Sequence, residues 1–311
     1  MDDDHSLRLF FYYKQLYYKE NVMQKKNILI PLQQYYIQAD LYLNTKTSPI
    51  IIMAHGLGGE KSCGLDLYVQ EYIRQGYSIC CFDHRGFGQS TGKYKNLVDG
   101  KSQIKDWETV INYLKQELSL VEKDMILWGY SFSGAHVLTL ASKQKYHAVI
   151  ANFPHVDGIA SLAGYPIQYM IPATFLAITD IIFSLFGKAK NIKVVAKNRF
   201  AILSGEDCYN GYYSLISKNQ HWDNQVPARI VATIALYRPI TVAHKIASPT
   251  LIVGAIKDSL IPISRTRATA KKSNNIQYFE ENCGHFDLFH EPFMTQIQTQ
   301  HRKFLGNIFN P

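Results

Sequence analysis

The sequence contains few cysteines, and none stand at a spacing typical of a disulfide pair or a zinc site. The five are Cys63, Cys80, Cys81, Cys208 and Cys283. Cys80 and Cys81 are neighbours in an apolar run that reads as a buried strand, so their side chains face opposite sides and cannot easily bridge. An odd number of unpaired cysteines favours a reducing compartment.

Motifs for metals, cofactors and nucleic acids are also missing. There is no H-E-x-x-H, paired C-x-x-C or EF-hand loop, and no G-x-G-x-x-G follows the first strands, so we expect neither a metal nor another cofactor. The formal net charge of +8 comes from scattered basic residues. Pairs such as Lys25-Lys26 and Lys271-Lys272 are typical of solvated faces, so we expect no nucleic-acid partner.

The sequence shows no pattern of a secretion signal, an internal repeat or a low-complexity tract. The opening MDDDHSLRLF is acidic and lacks the basic and then apolar pattern of a signal peptide, which favours a cytoplasmic protein. Secretion by a route without such a signal stays open. A hydrophobic content of 47% over 311 residues is typical of a packed globule, and one elaborated domain is expected.

Short apolar runs rich in β-branched residues predict strands. In chain order they are KNILIPL, YYIQADLYL, PIIIMAH, YSICCFD, DMILWGY, AVIANFP, PTLIVGA and IQYFE. Helical patterns lie between several of them, and the residues that share one face of such a helix are Ile104, Trp107, Ile111 and Leu114. A last helix is expected around MTQIQTQHRKFLGNIF. This alternation predicts an α/β fold, with a mostly parallel sheet and helices on both faces.

The alternation stops from about Asp157 to Lys245, where no convincing strand is found. Because strands resume at PTLIVGA, this segment is predicted to be a helical insertion over the sheet. Ligands of open α/β sheets bind at the carboxyl ends of the strands, so the insertion would form a lid over such a site.

A cluster of small residues interrupts the apolar segment MILWGYSFSGAHVLTL, between a predicted strand and a predicted helix. Ser131 lies on this turn. A tight turn needs small neighbours such as Gly129 and Gly134, because larger side chains would collide. The turn would lift the Ser131 hydroxyl above the sheet, where the start of the helix presents N–H groups to a developing negative charge.

This turn resembles the G-x-S-x-G nucleophile elbow of the α/β-hydrolase family, with Ser133 in place of the second glycine. The segments HGLGG, from His55, and FDHRGFGQSTG, from Phe82, resemble loops of the same family. The resemblance is greatest to dienelactone-hydrolase-like and cocaine-esterase-like enzymes and related serine peptidases. It implies an α/β-hydrolase fold divided into an N-terminal extension (1–26), a core in two parts (27–154 and 246–311) and a helical cap (155–245).

The resemblance also implies a catalytic triad. The pattern G-x-x-x-D-x-x-x-P in LIVGAIKDSLIP places the acid at Asp258, and NCGHFDLF places the base at His285, after the last predicted strand. A serine hydroxyl is a poor nucleophile until an imidazole removes its proton, and a carboxylate must orient that imidazole. Ser131 is the expected nucleophile. Ser133 as nucleophile and Asp157 as acid are the weaker alternatives.

In the same family the loop after the first parallel strand carries half of the oxyanion hole. The resemblance implies that the backbone N–H groups of Leu57 and Phe132 hold the oxyanion of the tetrahedral intermediate. His55, in this loop, is expected to be structural and not to be the base.

The predicted cap contains an unusually apolar stretch. Between 158 and 187 the one formally charged residue is Asp180. This surface either packs on the core or lines an acyl pocket above Ser131, in which case Tyr130, Phe175 and Ile178 are the expected substrate contacts.

The same stretch raises the question of a membrane. Pro166 and Pro172 are expected to interrupt it, so a spanning helix is not predicted. The segment KAKNIKVVAKNR follows, with basic residues from Lys188 to Arg199. An apolar surface beside a basic one predicts weak peripheral contact with an anionic membrane.

The predicted function is that of a serine hydrolase that cleaves a carboxylic ester or thioester of an apolar acyl or aromatic small molecule, through an acyl-enzyme on Ser131. The same triad would suit an acyltransferase, or an amidase or aminopeptidase in which Glu206 or Asp207 reads a free amine. A protein that binds ligands without catalysis could also keep this fold. The sequence does not indicate an oligomeric state.

Overall fold

The computed structural model describes residues 24–44, 49–165, 167–197, 200–217 and 220–309. Most of the predicted N-terminal extension, Pro166 and Arg199 lie outside the described residues.

An eight-stranded sheet lies at the centre of the fold. Its strands are β1 (Lys25–Leu32), β2 (Tyr35–Tyr42), β3 (Ile50–Ala54), β4 (Ser78–Phe82), β5 (Met125–Tyr130), β6 (Ala148–Asn152), β11 (Thr250–Ala255) and β12 (Ile276–Glu281). They lie side by side in the order β1-β2-β4-β3-β5-β6-β11-β12. The β1–β2 and β2–β4 pairs are antiparallel, and the other neighbouring pairs are parallel. All of the predicted strands are present, and the predicted fold class is confirmed.

Helices cover both faces of the sheet. The helices are α1 (Leu65–Arg74), α2 (Gly100–Leu118), α3 (Phe132–Ala141), α4 (Gly158–Ala163), α5 (Ile167–Leu185), α6 (Glu206–Ser214), α7 (Ile230–Thr233), α8 (Ile263–Ala270) and α9 (Phe293–Phe309). Apolar side chains of α1 and α9 join the core on one face, and those of α2 and α3 join the core on the other. Cys80 and Cys81 lie in these opposite core layers, and all five cysteines are buried and free.

The predicted amphipathic helix corresponds to α2. Its carboxylate cap is Asp99, which accepts a hydrogen bond from the Ser102 N–H at 2.8 Å and so satisfies one of the free donors of the first turn. The predicted face is buried as expected, and Trp107 is fully enclosed against the sheet.

The chain leaves the sheet after β6 and returns to it at β11, and the segment between carries α4 to α7. It also contains two small two-stranded sheets. Their strands are β7 (Asn191–Lys193), β8 (Val195–Ala196), β9 (Leu203–Ser204) and β10 (Gln225–Pro227). The expectation that this segment lacks strands was therefore wrong, because strands of two or three residues are too short to show a periodic pattern.

Helix α5 is continuous through Pro172, so the expected interruption at this proline was also wrong. Pro172 is exposed. The carbonyl group that it leaves without an intrahelical partner is therefore free to bond to water, and the helix continues. Within the described ranges, α5 is the one helix long and apolar enough to cross a membrane by length and composition.

Candidate active site

The turn between β5 and α3 holds Ser131 in a strained conformation, with φ of 55° and ψ of −112°. Its neighbours must be small. A Cβ atom on Gly129 would lie 2.2 Å from the Ser133 carbonyl oxygen, and one on Gly56 would lie 2.8 Å from the Ser131 Cβ. The sequence therefore forms this turn because glycine stands where backbone and side chain approach most closely.

The structure brings Ser131, His285 and Asp258 together at the carboxyl edge of the sheet. His285 Nε2 lies 3.0 Å from Ser131 Oγ, and His285 Nδ1 lies 2.6 Å from Asp258 Oδ2. Asp258 Oδ1 accepts hydrogen bonds from the backbone N–H groups of Leu260 and Ile261 at 2.8 and 2.9 Å. An ionised carboxylate held in this way favours the tautomer of His285 with its proton on Nδ1, which leaves Nε2 free to take the serine proton.

Asp157, the alternative acid, is engaged elsewhere. Its carboxylate accepts hydrogen bonds from Arg238 Nε at 2.7 Å and from Arg265 Nε at 2.9 Å. Burial raises the pKa of Asp157, but its hydrogen bonds to the two guanidinium groups outweigh burial and hold this pKa below the ordinary value. Asp157 therefore serves an ion-pair network, and Asp258 is the carboxylate bonded to His285.

Ser133, the alternative nucleophile, belongs to a second relay behind the turn. Its hydroxyl donates to the His55 carbonyl oxygen at 2.6 Å, and His84 Nε2 lies 3.2 Å from the same hydroxyl. His84 Nδ1 in turn lies 3.3 Å from Asp106, which also accepts from Arg85 Nε at 2.6 Å. Because the Ser133 proton is committed to a backbone carbonyl, this fully buried serine is not free to attack a substrate.

Leu57 and Phe132, the expected oxyanion donors, both line the cavity beside Ser131. Two residues of the insertion hold the Leu57 loop from outside. The Tyr212 hydroxyl donates to the Leu57 carbonyl, and Trp222 Nε1 donates to the Gly58 carbonyl, each at 2.9 Å. Sequence reasoning missed both side chains, since no motif links them to a loop more than 150 residues away.

The other histidines beside Ser131 are poor candidates for a base. Burial lowers the pKa of His55 and of His155 to about 4, so each imidazole is too weak a base to take the serine proton effectively at pH 7. The His55 ring stacks on Phe289 with 6.1 Å between ring centroids, a structural position. Across the part of the chain that the structure describes, no three His, Cys, Asp or Glu side chains are grouped as a metal ion would require.

Above Ser131 lies a cavity of about 140 Å³. Its apolar walls come mostly from the insertion and from the loop after β11. They include Leu162, Tyr165, Ile202, Leu203, Ile230, Val231, Ile234, Leu260, Ile261 and Phe286. Neither Glu206 nor Asp207 lines it, and no carboxylate does so among the described residues.

Only one of the expected substrate contacts reaches this cavity. Tyr130 lines it, with its hydroxyl donating to the His285 carbonyl oxygen at 2.9 Å. Phe175 and Ile178 do not, and their assignment is corrected: they lie on the outer side of α5, where they are 72% and 51% exposed. The inner side of α5 is formed by Ala173, Ala177 and Asp180 instead.

Comparisons with known proteins agree with this architecture. The family model for the alpha/beta hydrolase fold matches residues 49–292. The quorum-quenching protein AidA of Acinetobacter baumannii is 33% identical over 262 residues, which are 81% of this chain and 86% of AidA. The thiohydrolase aneE of Aspergillus aculeatus is 30% identical over 109 residues, which are 35% of this chain and 34% of aneE.

Solved structures show the same fold. The alpha/beta hydrolase GrgF from a Penicillium species superposes with a TM-score of 0.79 at 19% identity, covering 91% of this chain and 98% of GrgF. The match of the family model to most of the chain, together with this sheet order, shows that the protein belongs to the alpha/beta-hydrolase family.

Proposed function

We propose that the protein is a serine hydrolase that cleaves the ester or thioester of an apolar acyl group through an acyl-enzyme on Ser131. The observation that carries the proposal is the hydrogen-bonded series Ser131–His285–Asp258 on the floor of an apolar cavity. A hydroxyl paired with an imidazole, which is in turn oriented by a buried carboxylate, is the arrangement that acyl transfer requires.

In the first half of the reaction, Ser131 Oγ attacks the substrate carbonyl carbon while His285 Nε2 takes the hydroxyl proton. The carbonyl oxygen becomes an oxyanion, which the N–H groups of Leu57 and Phe132 stabilise. His285 then gives its proton to the departing alcohol or thiol, and the acyl group stays on Ser131. In the second half, water gives its proton to His285, attacks the acyl carbon, and releases the carboxylic acid as Ser131 recovers its proton.

The cavity supports an acyl group of moderate size. A volume of about 140 Å³ is close to that of a cavity of about 150 Å³ that holds benzene, which corresponds to about six carbon atoms. The likeness to a thiohydrolase supports thioesters as well as oxygen esters. The absence of a carboxylate from the described cavity wall gives no support to recognition of a free amine.

A series of 4-nitrophenyl esters and matching thioesters, from acetyl to dodecanoyl, tests the proposal. We expect kcat/KM to rise about fourfold per methylene until the cavity is full at about six carbons. Ser131→Ala should lower turnover by at least about a thousandfold. A folded protein that hydrolyses no member of the series, or that keeps its activity without the Ser131 hydroxyl, would contradict the proposal.

A matched pair of variants tests whether this cavity holds the acyl group. Leu162 lines the cavity, whereas Leu236 is 80% exposed and does not line it. Leu162→Trp should therefore shift the preference towards acetyl, and Leu236→Trp should leave the chain-length profile unchanged. Equal profiles for the two variants would place the acyl group elsewhere.

A further inference from the structure

Helix α5 presents a continuous apolar surface to solvent. Along its outer side, residues 51% to 82% exposed recur every three or four positions and so lie on one face. We call this the outer face of α5; its residues are Ile167, Ile171, Phe175, Ile178, Ile182 and Leu185. Folded monomers rarely leave so many large apolar side chains side by side in water, which indicates that something covers this face.

The inner side of the same helix is fixed to the protein. Ala173 and Ala177 are buried, and Asp180 is fully enclosed. The Asp180 carboxylate accepts hydrogen bonds from Arg229 Nε at 2.6 Å and from the Lys190 N–H at 2.7 Å. A helix that crossed a bilayer would have to break these bonds and expose a carboxylate to lipid, so α5 is built to lie on a surface and not to span it.

Positive charge follows α5 along the chain. Lys188, Lys190 and Lys193 come after its C-terminal end, and all three are exposed. Asp180 is the one acidic residue between 158 and 187, and because it is buried, this segment exposes no negative charge. A covering surface should therefore be apolar and carry negative charge beside its apolar part.

We propose that the outer face of α5 docks the protein on an anionic lipid bilayer, with the helix lying in the plane of the interface and the lysines against the headgroups. An in-plane helix with an apolar face and adjacent lysines is suited to anionic lipid. A second copy fits less well, because it would bring the same lysines, and no exposed carboxylate of α5, against the first. The formal net charge of +8 opposes such pairing further.

Sedimentation of the full chain with vesicles tests the proposal independently of catalysis. Vesicles of phosphatidylcholine alone are compared with vesicles in which a third of the lipid is phosphatidylglycerol, at low and high salt. We expect binding to the anionic vesicles that high salt weakens. Phe175→Ser should reduce it by at least about tenfold, and Lys188→Gln by about fivefold. Leu29→Ser, at an exposed leucine on β1, is the matched control and should bind normally.

The melting temperature, measured by circular dichroism, shows whether each variant is folded. Loss of vesicle binding with an unchanged melting temperature supports the proposal. Absence of binding by the wild type, or equal binding to both kinds of vesicle, overturns it. It is also overturned if light scattering shows a dimer that Phe175→Ser converts to a monomer, because the outer face then pairs two copies.

Discussion

The bond between Asp258 and His285 is the point at which a small chemical change should have a large effect. Asp258 accepts three hydrogen bonds: from His285 Nδ1 on one oxygen, and from the backbone N–H groups of Leu260 and Ile261 on the other. Asp258→Asn keeps the shape but replaces one acceptor oxygen with an NH₂ donor. The NH₂ group of the new amide must therefore point at another hydrogen-bond donor, which is either His285 Nδ1 or the backbone N–H groups.

The two orientations of that amide have different costs. If the NH₂ faces the backbone, two partly buried N–H groups lose their partner, at up to about 1–3 kcal/mol each. If it faces His285, the ring adopts the other tautomer, Nε2 carries the proton, and Ser131 loses its base. The backbone bonds favour the second orientation, so kcat should fall about ten-thousandfold while KM changes little.

Steady-state ester hydrolysis, with the melting temperature as a check of folding, measures this effect. Asp157→Asn is the matched control, because Asp157 binds Arg238 and Arg265 and does not contact His285. It should lower stability and leave kcat within about threefold of the wild type. If Asp157→Asn abolishes turnover and Asp258→Asn keeps more than a tenth of it, the reasoning about the acid is refuted.

Three further predictions follow from the surroundings of the site. Ser133→Ala removes the bond to the His55 carbonyl and should lower kcat about tenfold with little change in KM, measured by steady-state kinetics; an unchanged kcat would show that the second relay does not position the loop. Tyr212→Phe frees the Leu57 carbonyl and should lower kcat about fivefold, whereas an effect confined to KM would contradict its link to the oxyanion loop. Burial lowers the pKa of His55 and of His155 to about 4 in the folded protein. As the pH falls below 6.5, these two histidines therefore bind protons in the unfolded chain before they do so in the folded one. The free energy of unfolding should then decrease as the pH falls from 6.5 towards 4. Calorimetric melting should show this loss, about 3 kcal/mol per ring when complete, and stability that is constant from pH 7 to pH 4.5 would contradict it.

Local patterns were enough to predict the sheet. Each strand is a short β-branched run between turn residues, and α2 shows its buried face directly in its spacing. The tight turn at Ser131 could also be predicted from its small neighbours, since Gly129 stands where a side chain would collide with the Ser133 backbone. Asp258 and His285 follow strand ends, and the carboxyl ends of parallel strands meet at one edge of a sheet.

Features that depend on contacts between residues far apart in the chain could not be predicted from the sequence. The composition of α5 indicated an apolar helix but not which of its sides packs inward, so Phe175 and Ile178 were assigned to the cavity when they face solvent. Tyr212 and Trp222 bind the oxyanion loop through bonds to backbone carbonyls, which leave no motif in the sequence. The strands of the insertion were too short to show a period.

Reaction with a fluorophosphonate, followed by peptide mass mapping, tests most directly the claim that Ser131 is an activated nucleophile. The wild type should form one covalent adduct on the peptide that contains Ser131, and fragmentation should place it on this serine and not on Ser133. Ser131→Ala should form none, and Ser133→Ala should still be labelled. An adduct on Ser133, or a folded wild-type protein that does not react, would contradict the account.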